Sequence, residues 1–145
     1  MRKISKFRFL EHPSDAYIEA YGSTLEEAFE SAALAMFEVM TDTSSVRAVE
    51  EIDVKAEGHD LCSLLYNWLE TLLYYYGSRN LVFCRFKVLG IREKEGGYAL
   101  EGKAWGERFD PSRHESRVEV KAITYSLMEV KREDGKYTLR FVLDI

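Results

Sequence analysis

The 145-residue chain is poor in the residues that mark several specialised classes of protein. It has two cysteines, Cys62 and Cys84, and their separation matches no metal-binding spacing, so we expect two buried, reduced thiols. No apolar run approaches the roughly 20 residues that span a bilayer, and the opening MRKISKFRF lacks the apolar stretch of a secretion signal. We therefore expect a cytoplasmic protein that does not enter a membrane.

Positive charge is also scarce. Twenty Lys and Arg residues stand against 25 Asp and Glu residues, which gives a net charge of −5. Broad, non-specific binding of nucleic acid needs clustered cations that displace counterions. The charge balance therefore excludes a general RNA-coating role and leaves open a contact with RNA through a partner or a small local surface.

Familiar catalytic motifs are missing. The sequence contains no Gly-x-Ser-x-Gly, no Gly-x-x-x-x-Gly-Lys, no His-Glu-x-x-His and no Cys-x-x-Cys. The polar residues without an evident structural role are few: His12, Asp15, the loop 106–117, Lys121 and Asp144.

Two segments have the apolar periodicity of amphipathic helices that pack on a core. The first is predicted over 23–41, where Ser23 and Glu26 have the spacing of a capping box. The second is predicted to begin after Asp60 as N-cap and to end before Gly77.

Alternating apolar residues predict strands elsewhere. They cover 16–22, 51–58, and two hairpins, 81–93 with 97–107 and 116–130 with 136–145, whose turns carry Gly-Gly and Asp-Gly. This order predicts a single α+β domain over 1–145, with two amphipathic helices packed on a mostly antiparallel sheet.

The end of the sequence brings two carboxylates together, the side chain of Asp144 and the main-chain carboxylate of Ile145. The strong alternation of the last strand predicts that this end is held in the sheet. A fixed acidic pair is half of a site for a hard cation such as Ca²⁺, Mg²⁺ or Mn²⁺. Asp15 would be a third carboxylate if the first strand lies beside the last, although Pro13-Ser14-Asp15 also fits a simple turn.

Four further residues are candidates for a surface that faces a partner or a nucleotide. His12 could ligate a metal, act as a base or pack, and against a hard cation we favour a partner-facing or ligand-supporting role. Arg113 and His114 lie in the charged loop 106–117, which could bind phosphate or carboxylate groups or could be a solvated loop. Lys121 follows that loop.

Several gapped stretches, in order, resemble the archease family over nearly the whole chain. They are EHPSDAYIEAYGSTLEEAFESAALAMFEVMTD, LLYNWLETLLYYY, GERFDPSRHESRVEVKAITYSLMEV and the ending VLDI. The sequence departs from the family pattern at Pro13-Ser14, where Thr-Ala is usual, and at Ser126, where a histidine often follows the tyrosine.

The resemblance implies a protein that is not an enzyme itself but assists the GTP-dependent RNA-splicing ligase of tRNA splicing. Such proteins promote guanylylation of the ligase's active-site histidine and its multiple turnover. The resemblance also implies a divalent-cation site built from Asp15, Asp144 and the Ile145 carboxylate.

Three alternatives remain at this stage. The protein could be a metal-dependent phosphoesterase that uses Asp15, Asp144 and His12, although two-metal sites normally draw on more acidic and histidine ligands. It could be a metal-free scaffold, or a chaperone-like module for other RNA-processing enzymes such as methyltransferases.

Overall fold

The computed structural model describes residues 6–11 and 14–145. In chain order the elements are β1 (Phe7–Leu10), β2 (Ala16–Gly22), α1 (Leu25–Met40), a 3₁₀ turn (Thr43–Ser45), β3 (Glu50–Gly58), α2 (Leu61–Arg79), β4 (Leu81–Lys94), β5 (Gly97–Arg108), β6 (Ala122–Ile123), β7 (Glu129–Glu133) and β8 (Lys136–Asp144). Neither α1 nor α2, the helices of the described chain, combines the length and apolarity that a membrane crossing requires.

The strands form two antiparallel sheets. In the larger sheet the order is β1-β2-β8-β6, and β7 pairs with the other half of β8. The smaller sheet has the order β3-β5-β4. Both helices contribute to one hydrophobic core shared with the two sheets. The predicted class, α+β with two helices on antiparallel strands, is confirmed.

Helix α1 buries the face that its periodicity predicts. Its buried apolar residues are Ala28, Phe29, Ala32, Ala33, Ala35, Met36, Phe37 and Met40. The predicted cap is wrong by one residue, because Thr24 is the N-cap and its hydroxyl accepts from the Glu27 N–H at 3.1 Å. The Glu27 carboxylate in turn accepts from the backbone N–H of Ser23 at 3.0 Å. Ser23 thus lies one position before the N-cap.

Helix α2 begins as predicted and ends later. Asp60 and Ser63 form a capping box, in which each side chain bonds the other residue's backbone N–H. The helix continues through Gly77 to Arg79, and Asn80 is the left-handed residue at its end, with φ 55°. The prediction of Gly77 as terminator is therefore wrong, since asparagine also tolerates this conformation.

Both predicted hairpin turns form, with positive φ at Gly96 and Gly97 in one turn and at Asp134 and Gly135 in the other. The predicted strand 116–130 is largely wrong, because only its short parts β6 and β7 are strands. The peptide groups before β6 bond a helix instead: the N–H groups of Arg117 and Val118 donate to the carbonyls of Met40 and Val39. Strand β1 has no counterpart in the sequence prediction.

Strand β4 lies at an edge of the smaller sheet and is irregular. Its register with β5 shifts at Cys84 and again at Leu89. Between these shifts, the carboxylate of Glu30 on α1 accepts a hydrogen bond of 2.9 Å from the backbone N–H of Val88. Both cysteines are free, and each is half-buried rather than fully buried.

Candidate functional site

The strand register brings Asp15 to the end of β8. Strands β2 and β8 pair from Gly22 opposite Tyr137 to Ala16 opposite Leu143. One residue further along each strand, Asp15 adjoins the start of β2 and Asp144 is the last residue of β8. The fold therefore places Asp15 next to Asp144, which the sequence could not show.

Lys121 flanks the same strand end from the other side. Ala122 of β6 pairs with Asp144, and the backbone N–H of Lys121 donates to the Asp144 carbonyl at 2.7 Å. The side chain of Ile145 packs against the hydrophobic core, so the chain is held one residue beyond β8. Four residues therefore meet where β8 ends between β2 and β6: Asp15, Asp144, Ile145 and Lys121. We call this strand end the carboxylate edge.

The chemistry of this edge fits a hard cation. Its donors are two carboxylate side chains and the main-chain carboxylate of Ile145, and Ca²⁺, Mg²⁺ and Mn²⁺ prefer oxygen ligands. Within residues 6–11 and 14–145, no three His, Cys, Asp or Glu side chains are grouped so that they could hold a metal ion. A site here would thus depend on the main-chain carboxylate and on water, and it remains a prediction.

A different carboxylate on the same strands is fully engaged. Glu19 of β2 is 3% exposed, and it lies between Arg8 of β1 and Arg140 of β8, whose Nε atoms donate to it at 2.8 and 2.6 Å. The hydroxyl of Tyr21 also donates to it. Burial alone would raise the pKa of the Glu19 carboxyl, but these hydrogen bonds outweigh it and lower the pKa to about 2.

The loop after β5 is organised around a buried Glu–His pair. The Asp110 N–H donates to Nδ1 of His114 at 2.8 Å, which leaves Nε2 to carry the proton toward Glu107 at 2.9 Å. Glu107 also accepts from the Arg47 N–H and from Arg113. Although burial opposes ionisation, these donors lower the pKa of the Glu107 carboxyl to about 2.

Comparison with known proteins decides the family. A sequence model of the Archease protein family (MTH1598/TM1083) matches residues 7–145. The chain belongs to the archease family. It is 53% identical to the archease of Sulfurisphaera tokodaii over 142 residues, which cover 98% of this chain and 100% of that protein. It is 51% identical to the archease of Pyrococcus furiosus over 143 residues, with the same coverage of both chains.

Two solved structures have the archease fold found here. The solution structure of Methanobacterium thermoautotrophicum protein 1598 matches with a TM-score of 0.83 at 47% identity and covers 97% of this chain and 99% of its own. The crystal structure of a Thermotoga maritima archease, described as a possible chaperone, matches with a TM-score of 0.58, covering 100% of this chain and 98% of its own. At 18% identity the second match supports the fold alone.

The fold places Asp15, Asp144 and Ile145 at the same strand end, and their role as cation ligands, which the archease resemblance implied, stays a prediction. Of the residues predicted to face a partner, Lys121 has an exposed side chain beside this edge. His12 lies outside the described residues.

Arg113 and His114 are placed differently. His114 is 3% exposed with both ring nitrogens engaged inside the loop, so its position is not the partner-facing one predicted. Arg113 is more exposed and binds Glu107 at 2.6 Å. These two residues stabilise the loop that leads to Lys121.

Sequence reasoning missed the two buried glutamates, Glu19 and Glu107. The only local signal for Glu19 was a lone charge between Ile18 and Ala20 in an otherwise apolar strand. Glu107 gave no signal, because its partners Arg47 and His114 approach from distant or irregular segments.

Proposed function

We propose that this protein is a non-enzymatic activator of the GTP-dependent RNA-splicing ligase and that it acts through a divalent cation held at the end of β8. The observation that carries the proposal is the strand register that sets Asp15 beside Asp144, with Lys121 on the opposite flank. Membership in the archease family supports a role in assisting a partner.

Asp15, Asp144 and the main-chain carboxylate of Ile145 would hold the cation. A bound cation supplies positive charge that offsets the charge developing on phosphate during nucleotidyl transfer. The protein's own part is to position the acids on paired strands, so that the acids need little rearrangement when the edge meets the ligase. The exposed ammonium of Lys121 lies where it can contact a nucleotide phosphate or an acidic group of the ligase.

The phosphoesterase alternative gains no support. Two-metal phosphoesterases surround their ions with several carboxylates and histidines. Of the three residues that this alternative uses, only Asp15 and Asp144 lie among the described residues. We therefore propose a single cation here and no two-metal centre.

The test is guanylylation of the ligase histidine with GTP and Mn²⁺, followed as covalent nucleotide on the ligase. We expect Asp144→Asn and Asp15→Asn to lower the stimulated rate at least about tenfold, which corresponds to about 1.4 kcal/mol. The matched control is Asp134→Asn, at the opposite end of β8 in a turn residue with φ 50° that asparagine accepts. Undiminished stimulation by Asp144→Asn would remove the proposed mechanism.

A further inference from the structure

The loop that follows β6 displays large apolar side chains to solvent. Tyr125 is 55% exposed and Leu127 is 54% exposed, at the tip of the short segment between β6 and β7. We call the segment Thr124–Met128 the apolar tip. Exposed apolar side chains clustered on one protruding loop are typical of protein interaction sites.

The backbone of the apolar tip is held in an unfavourable conformation. Leu127 has φ 56°, in the left-handed region that costs a residue with a β-carbon about 1 to 2 kcal/mol. The turn is fixed by the Met128 N–H, which donates to the Tyr125 carbonyl at 3.2 Å. The turn requires a positive φ at its third residue, a position that glycine or asparagine usually fills. Leucine holds it here with a side chain that is 54% exposed, which motivates a functional role for this residue.

The apolar tip is also rigid at its base. Both the N–H and the hydroxyl of Thr124 donate to the Val142 carbonyl of β8, at 3.2 and 2.8 Å. The ring of Tyr125 stacks on Tyr66 of α2, with centroids 4.4 Å apart and an angle of 7° between the planes. The tip therefore needs little ordering on binding, which reduces the entropic cost of an interface.

Acidic side chains surround this stack. Burial and the negative charges of Asp60 and Glu70 raise the pKa of the Tyr125 phenol. Glu129 lies at the start of β7, where Lys131 pairs with it at 3.3 Å. Asp60 and Glu70 are exposed, so the side-chain charges that act on the Tyr125 phenol are negative. A complementary surface is an apolar recess with a cationic rim, and a second copy of this chain or an RNA would bring negative charge against negative charge.

The apolar tip lies close in sequence and in the sheet to the end of β8 that carries Asp144. Strand β6 pairs with Leu143 and Asp144 of β8, and the tip begins at the next residue. The first residue of the tip, Thr124, is bonded to Val142, two residues before Asp144, so a partner that contacts Asp144 comes close to the start of the tip. Resting on the proposed function, we infer that Leu127 and Tyr125 anchor the protein in an apolar, cation-rimmed recess of the ligase.

The experiment compares Leu127→Asn with Leu89→Asn in ligase binding by calorimetry, without GTP or metal. Asparagine accepts the left-handed conformation, so we expect Leu127→Asn to keep or raise the melting temperature. Leu89 is a matched control, because it is 58% exposed and lies at a register shift of β4 in the other sheet. We expect Leu127→Asn to weaken binding about tenfold and Leu89→Asn to change it less than about twofold.

The outcomes separate the two proposals. Suppose that the unmodified protein stimulates guanylylation and that the Leu127→Asn variant binds the ligase as tightly as the unmodified protein. The docking inference is then overturned, while the proposed function stands. If the unmodified protein neither binds nor stimulates the ligase, the proposed function fails and the inference falls with it. A dimer in sedimentation that Leu127→Asn dissociates would assign the tip to a second copy and overturn docking on the ligase. Leu127→Gly serves as the second variant if Leu127→Asn fails to fold.

Discussion

Strands β2 and β8 carry two arrangements of carboxylates, which differ in their burial and in their hydrogen-bond partners. In the middle of the pair, Glu19 faces Arg140 and is also bonded by Arg8 and Tyr21. Four residues further along β8, on the same face as Arg140, Asp144 is exposed and adjoins Asp15. One arrangement is an acid enclosed by cations, and the other is a pair of acids at an open strand end.

The difference teaches which acid can serve a ligand. Both oxygens of Glu19 already accept hydrogen bonds from charged donors, and the residue is buried, so a ligand could reach this carboxylate only by displacing Arg8 or Arg140. The exposed Asp144 has no such enclosure, and the flanking cation Lys121 is itself exposed. The buried Glu19 with its two arginines suits a role in stability, and the exposed Asp144 suits the binding of a ligand.

The largest effect is expected when the enclosed acid loses its charge. Glu19→Gln leaves Arg8 and Arg140 without their shared carboxylate, and we expect the free energy of unfolding in urea to fall by about 3 kcal/mol. Glu101→Gln, at an exposed strand glutamate of β5, is the matched control and should change it by less than about 0.5 kcal/mol. Equal effects of the two substitutions would show that enclosure contributes nothing.

The pH dependence of this loss is the next largest effect. The pKa of Glu19 is lowered from 4.5 to about 2 by folding, so its stabilisation is fully present above about pH 4.5 and is lost as the pH falls toward 2. We expect the stability difference between the unmodified protein and Glu19→Gln to shrink by about 2 kcal/mol between pH 7 and pH 3. A difference that stays constant over this range would place the pKa of Glu19 near its ordinary value.

The open end should give a smaller effect that depends on metal. With Mn²⁺ or Ca²⁺ at about ten times the dissociation constant, binding to the native state adds about 1.4 kcal/mol, or about 4 °C in melting temperature. We expect Asp144→Asn to abolish this shift and Asp134→Asn to retain it. A shift that survives in Asp144→Asn would move the cation elsewhere in the protein.

Much of the fold could be predicted from the sequence because its signals are local. The apolar faces of α1 and α2, the Asp60 cap and both hairpin turns follow from side-chain spacing and turn chemistry within a few residues. The error at Ser23 arose because the adjacent Thr24 can cap the same terminus, and the error at Gly77 arose because Asn80, three residues later, also accepts the left-handed conformation.

The segment 109–121 could not be predicted in the same way. The alternating residues from 116 onward favour a strand, but the N–H groups of Arg117 and Val118 bond the last carbonyls of α1, which lie far away in sequence. The burial of His114 likewise depends on Glu107 in the preceding strand. The sequence was enough to select Asp15 and Asp144 as candidate cation ligands. Their adjacency depends on the pairing of β2 with β8, which lie near opposite ends of the chain.

The carboxylate of Glu30 on the Val88 amide has a consequence for how the protein behaves at high concentration. A sheet margin with free amides is a template on which a neighbouring chain can grow a new strand. Here one amide is already occupied and the margin is bent on either side, at Cys84 and Leu89. We expect the β4 edge of the smaller sheet to resist edge-to-edge aggregation, although the larger sheet exposes an apolar loop to water.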